Sequence, residues 1–350
     1  MRLLVIAPVA AVVVAGLAYG LPASTIESAY AQGVYPFIAF LVGIASDAVP
    51  FSIAELLVFA FVLTAIYVPI RVLRTKGKLR IGFGERLRRL LRLGLRTAVI
   101  GAGFGFVAFE LLWGLNYHRV PIEERIGWNA KALERTAFVA KLESLAERAS
   151  TARSVATWDD EVARAVVDGV DLVVERLEGA PVFCARRPKT LIFNAYFAKV
   201  GIHGITIPFT HEAHHRHDLF AWELPFVVAH ERAHLAGYAS EAEASFVAYH
   251  ACLSSRNPLA RYAGLLAAYR HFRGAATPDE RRAADAKLSE TVRGDLRAIA
   301  TRDERERSGL HAMTQAINDS YLKANDVATG VKDYGRVVEL ILGVPLDERE

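Results

Sequence analysis

The chain is poor in cysteine. Cys184 and Cys252 are its only two in 350 residues, which excludes a disulfide scaffold and a four-cysteine zinc module. It has no internal repeat and no low-complexity tract, so solenoids and linker arrays are excluded as well. Lys and Arg are missing altogether between residues 22 and 52. Charged residues make up 23% of the chain and hydrophobic ones 53%, with a mean hydropathy of +0.22. A disordered chain is thereby excluded, and some of the apolar residues are expected to face lipid. The net charge of +4 and pI near 9.0 would permit nucleic-acid binding. The basic residues, however, are concentrated in one short stretch without interleaved aromatics, so no nucleic-acid partner is expected.

What is present falls into two halves. Residues 3–21, 53–72 and 97–115 are apolar runs long enough to cross a bilayer as helices. Residues 34–46 are apolar but too short to span, which predicts an interfacial segment or a bent hairpin. Ala29-Tyr30-Ala31 has the form of a signal-peptidase site, but the long run before it favours an uncleaved anchor. Glu110, near the far end of the third run, is expected to reach the interface. The stretch 73–96 reads as a loop, and ten Lys or Arg residues lie between Arg71 and Arg96. The positive-inside rule puts that loop in the cytoplasm and everything after Tyr117 outside it. A transporter is a poor fit, because three spans with few polar residues offer little pathway.

Residues 120–350 have ordinary globular composition and are numerous enough for a sizeable core. Apolar spacing predicts helices over 130–148, 158–177, 258–272 and 278–301, with two shorter ones closing the chain. Residues 190–193 and 204–209 read as strands. Residues 224–253 read as two helices around Gly237. The class is α-dominant α+β.

The pattern H-E-x-x-H occurs twice. On a helix, histidines four apart share a face and can bind one Zn²⁺, with the glutamate beside the first as general base. His211-Glu212-Ala213-His214-His215 lies among polar residues with no apolar face, so it reads as a solvated loop. Glu212 is then a loop residue, or in a sharper reading a contact to a ligand histidine. His230-Glu231-Arg232-Ala233-His234 has the right context: Pro225 at a helix start, an apolar lead-in, and Gly237 as a C-cap. Arg232 is the one irregularity. A catalytic zinc needs a third protein ligand. Glu241 and Glu243 follow Ser240, which reads as an N-cap with Glu243 at the capping-box position. Two residues apart on one helix, only one of them faces the zinc, and the capping role favours Glu241. Tyr249, Tyr321 and Tyr334 are unranked candidates for donating to an oxyanion. Cys184 and Cys252 are allowed to form a disulfide if their half is extracytoplasmic.

Several segments in order carry a resemblance. They are Pro50-Phe51-Ser52, Trp113-Gly114-Leu115-Asn116-Tyr117-His118-Arg119 and Gly204-Ile205-Thr206-Ile207-Pro208-Phe209-Thr210. Pro225-Phe226, His230-Glu231, Glu241-Ala242-Glu243-Ala244-Ser245-Phe246 and Tyr321-Leu322-Lys323-Ala324-Asn325 follow. With them the chain resembles the bacterial membrane proteins grouped as domain-of-unknown-function family 3810, placed among zincin-like metallopeptidases. The resemblance implies a three-helix transmembrane anchor followed by a gluzincin-type domain. It implies zinc held by His230, His234 and Glu241, with Glu231 as base. Glu241 is similar in position to the first glutamate of the E-x-E-A pattern of related zincins. Ser245 stands where Asn or Asp is usual, and His211 where Gly is usual. In zincins the edge strand beside the metal helix pairs with an extended substrate, which makes residues 204–209 of interest. The expected function is a membrane-anchored zinc metallopeptidase of the bacterial inner membrane, acting outside the cytoplasm on a peptide or protein. The alternative is a non-catalytic sensor or scaffold.

Overall fold

The computed structural model describes residues 2–74, 83–157, 162–180, 184–307, 309, 313, 316 and 334–346. Four apolar helices open the chain: α1 (Leu3–Gly20), α2 (Ala23–Asp47), α3 (Ile53–Arg74) and α4 (Phe83–Leu112). Each is long and apolar enough to cross a membrane. That is one more than the sequence suggested. The short run at 34–46 is the second half of α2, whose Ile26–Val34 stretch is π-helical. Yet α2 is docked lengthwise on the rest of the protein. The Tyr30 hydroxyl donates to the Leu111 carbonyl at 3.2 Å and the Tyr35 hydroxyl to the Leu235 carbonyl at 2.7 Å. At the far end the Asp47 carboxylate accepts from the amides of Arg186 and Arg187 at 2.8 and 2.9 Å. The face turned away from these contacts carries exposed Phe37, Leu41 and Ile44.

α1 runs parallel to α4. Gly103 lies so close to Ala7 that an added Cβ would stand 2.7 Å from its backbone. Further along, Tyr19 meets His118 edge-on at 4.8 Å. The end of α1, the start of α3 and the end of α4 therefore all meet the second half of the chain. α4 begins well before residue 97, so Arg86, Arg88, Arg89, Arg92 and Arg96 lie on a helix and not in a loop. Leucines at 87, 90, 91, 93 and 95 and the Glu85–Arg89 pair at 3.2 Å extend the helix through the charged stretch. Lys76, Lys78 and Arg80 lie outside the described residues. Glu110 is buried near the C-terminal end of α4.

The second half is helical around one small sheet. After 3-10 turns at Gly114–His118 and Ala130–Leu133, with α5 (Ile122–Ile126) between them, come α6 (Arg135–Val155) and α7 (Val162–Glu178). The sheet consists of β1 (Lys189–Thr190), β2 (Gly204–Ile207) and β3 (Glu212–His215), with α8 (Asn194–Lys199) between the first two. Its order is β1-β3-β2, with β1 parallel and β2 antiparallel to β3. Then follow α9 (Leu224–Leu235), α10 (Glu241–Ser254), α11 (Pro258–Ala275), α12 (Pro278–Ala286), α13 (Glu290–Glu306) and α14 (Tyr334–Gly343). α10 is the centre of the core. Every residue from Ala244 to Leu253 is buried, against α7, α9, α11 and α14.

The pair of helices around Gly237 is as expected. The single helix expected over 278–301 is two, because the Ser289 hydroxyl caps a new start by accepting from the Val292 amide at 3.3 Å. The strand expected at 190–193 stops at Thr190, since the Ile192 and Phe193 amides donate to Glu55 at the start of α3. Cys184 and Cys252 are both buried and free, so the allowed disulfide is not made.

Candidate metal centre

Pro225 stands in the first turn of α9, where its missing N–H costs nothing. His230 and His234 fall one turn apart on the same face, with their Nε2 atoms 3.1 Å apart. Gly237, at φ +94°, ends the helix in the left-handed region that favours glycine. The Tyr238 amide there closes back on the Ala233 carbonyl at 3.1 Å. The chain then reverses into α10, whose N-cap Ser240 accepts from the Glu243 amide at 3.4 Å. Glu241 opens α10 and brings Oε2 to 3.1 Å from His230 Nε2 and Oε1 to 3.8 Å from His234 Nε2.

The three donor atoms lie within 4.8 Å of one another. Tetrahedral zinc with bonds of about 2.0–2.1 Å sets its donors roughly 3.3 Å apart, so the donor set fits. The outer ring nitrogens are engaged too. His234 Nδ1–H donates to the Tyr238 carbonyl at 2.7 Å, and His230 Nδ1 meets the Ser245 hydroxyl at 3.2 Å. With Nδ1 held in this way, the Nε2 atom of each ring points into the cluster, the arrangement of metal-binding histidines. Ser245 thus occupies the supporting position despite being neither Asn nor Asp. The cluster favours a cation. Burial opposes charge on His234, yet Glu241 and Glu231 push its pKa up to about 9. Burial would raise the Glu241 carboxyl, but the two imidazoles hold it well below the usual carboxylate range.

Glu231 is buried beside them. Its Oε2 and its backbone carbonyl both accept from the Thr206 hydroxyl, at 2.9 and 2.8 Å. Gly204 leaves room for it, since a Cβ there would come within 2.6 Å of Oε1. Burial and Glu241 raise the Glu231 carboxyl, and the histidines only partly offset this. Arg232, the irregularity in the motif, turns away from the cluster. It donates to the Ala185 carbonyl and pairs with Asp171 on α7.

The other candidates lie elsewhere. Glu243 has its carboxylate on the Ile122 amide at 2.8 Å, capping α5; its side chain does not close the box on Ser240. Glu212 is not in a loop. It is fully buried on β3, where its carboxylate caps α3 through the Ile53 and Ala54 amides, both at 2.8 Å, and pairs with Lys189. The first H-E-x-x-H is therefore a buried strand. On a strand, residues four apart are not stacked one turn above another as they are on a helix, so the spacing loses its metal-binding sense. His211 has φ +52°, the physical reason a glycine suits that position. Tyr249 is fully buried in α10. Tyr334 opens α14, and Tyr321 lies outside the described residues.

Sequence reasoning missed what holds the end of α9. Its last carbonyls have no partner within the helix; besides the Gly237 amide on the His234 carbonyl at 3.0 Å, the apolar N-terminal half supplies partners. Trp113 Nε1 donates to the His234 carbonyl at 2.8 Å, Tyr35 to Leu235, and Arg119 to Gly237 at 3.3 Å. Arg119 also pairs with Glu27 at 2.7 Å and Glu178 at 3.0 Å. Arg125 and the Tyr238 hydroxyl complete this buried group on Glu178, at 2.6 and 2.7 Å. The one signal was Trp113 and Arg119 inside the segment leaving the third apolar run.

A mostly helical protein with apolar helices able to anchor it in a membrane, carrying a His–His–Glu cluster on adjoining helices, is the class these features define. The chain belongs to the family described as Protein of unknown function (DUF3810), whose model matches residues 30–342. No curated protein and no solved structure matches it.

Proposed function

We propose that the protein is a membrane-anchored zinc metallopeptidase whose second half is a zincin-like, gluzincin-type domain. The observation that carries this reading is the convergence of His230 Nε2, His234 Nε2 and a Glu241 oxygen within 4.8 Å. These three residues would hold the ion. When bound, zinc supplies Lewis-acid polarisation of a peptide carbonyl and makes water more acidic. Glu231 takes the proton from water and passes it to the leaving amine. Its raised pKa suits both halves of that task, and the Thr206 hydroxyl, donating to Oε2, holds the carboxyl in place. β2, an edge of the sheet among the described strands, offers its free side to an extended substrate.

We further propose that α1, α3 and α4 cross the bacterial inner membrane while α2 lies along its outer surface. The contacts of α2 along the second half and the ten basic residues between Arg71 and Arg96 support this. The metal centre is then extracytoplasmic. The test is peptide hydrolysis by the purified full chain with zinc, after chelation, and with Glu231→Gln. Activity lost on chelation, restored by zinc and absent from the zinc-loaded variant is expected. Zinc-loaded protein that cleaves equally well with Glu231→Gln would contradict the mechanism. A variant that sustains the cellular role without cleavage would favour the sensor or scaffold.

A further inference from the structure

With α1, α3 and α4 spanning as proposed above, the end of the metal helix falls at the level of the membrane surface. In α4 the last basic residue is Arg96, and residues 97–112 rise only about 24 Å at ~1.5 Å per residue. α1, with 18 residues, rises about 27 Å. A hydrocarbon core is about 30 Å thick, so these helices end at its outer edge with no stalk beyond it. Trp113 comes directly after α4 and is buried against the second half. Its N–H holds the carbonyl of His234, itself a proposed ligand.

The sheet lies at the same level. Glu212 caps the first turn of α3, and Glu55 in that turn binds the Ile192 and Phe193 amides. The side chains around these contacts are apolar and open: Phe51 is 51% exposed, Ile192 72% and Phe209 49%. Single exposed apolar residues are ordinary, but these share one level with the outer face of α2. Finally, β2 starts at Gly204, against Glu231, and leads to Phe209, whose ring stands 6.5 Å from Phe109 on α4. The free strand edge beside the base runs down to a membrane helix.

We infer that the substrate is a polypeptide anchored in the same bilayer, cut within a few residues of the point where it leaves the lipid. The inference rests on the peptidase reading above. The proposed zinc site is separated from the interface by one hydrogen bond and two side chains, on the order of 15 Å. An extended chain covers that distance in about five residues.

The test uses the full chain, zinc-loaded in vesicles, and an unfolded casein segment in three forms. One is free, one is joined directly to a single transmembrane helix, and one is joined to it through a proline-rich spacer of about 40 residues. That spacer holds the segment on the order of 100 Å away at ~3.1 Å per residue. Both tethered forms share one surface concentration, so only distance from the lipid separates them. The directly joined form should be cut about tenfold faster than the other two, with cuts within about five residues of the membrane, and Glu231→Gln should abolish them. Equal cutting of the spaced or free form, sensitive to Glu231→Gln, would overturn the inference and leave the peptidase standing. No Glu231-dependent cutting of any form would overturn both.

Discussion

Ser245 and His211 show what a single position can and cannot say. Ser245 departs from the residue usual at its place, yet its hydroxyl meets His230 Nδ1 at 3.2 Å and so orients the ring. Removing such a support typically weakens metal binding 10–100-fold. Ser245→Ala should therefore raise the zinc dissociation constant by about that factor, measured by competition with a chromogenic chelator. Unchanged affinity would mean that something else orients His230. The donor spacing His230, His234, Glu241 was legible because helix periodicity and the Gly237 turn are local. The burial of Glu212 was not. It depends on Lys189 and the Ile53 amide of α3, 23 and 159 residues earlier in the chain, and a polar run gives no hint of a buried ion pair.

Among elements, α9 and α10 were read correctly, because Pro225, Gly237 and Ser240 punctuate them. α12 and α13 were read as one, since Ser289 looks like an ordinary helix-surface residue until its hydroxyl takes up the Val292 amide. α2 was halved because its polar π-helical stretch dilutes the apolar pattern. No periodicity could reveal that α9 ends on side chains from the other half. Trp113→Phe keeps an aromatic ring, though a smaller one, and removes the donor to the His234 carbonyl. The carbonyl keeps the Gly237 amide at 3.0 Å, so the loss is that of one hydrogen bond, about 0.5–1.5 kcal/mol. The variant should lose that much in denaturant unfolding and bind zinc more weakly. Wild-type stability and zinc affinity would show that the contact contributes nothing.

For the whole molecule, the sequence suggested an anchor joined to a separate domain, whereas the two halves share buried charges. Burial alone would raise the Glu178 carboxyl, but Arg119, Arg125 and the Tyr238 hydroxyl hold it below the usual carboxylate range. A carboxyl depressed in the folded state stabilises fully above its unfolded pKa, about 4.3, and ceases to do so as pH falls through the folded value. The thermal midpoint should thus drop as pH is lowered below about 4.3. Glu178→Gln should start about 3–5 kcal/mol less stable at pH 7, because buried arginines lose their partner, and show a shallower acid limb. An identical acid limb in the variant would place the titration elsewhere.

The zinc site itself is tested most directly by metal content. Zinc per chain should be counted by mass spectrometry in the wild type, Glu241→Ala and Glu243→Ala, each purified with zinc and dialysed. The wild type should hold about one zinc, as three protein ligands imply. Glu241→Ala should lose most of it. Glu243→Ala, which removes only the carboxylate on the Ile122 amide, should keep it. Zinc retained without Glu241 and lost without Glu243 would contradict the ligand set.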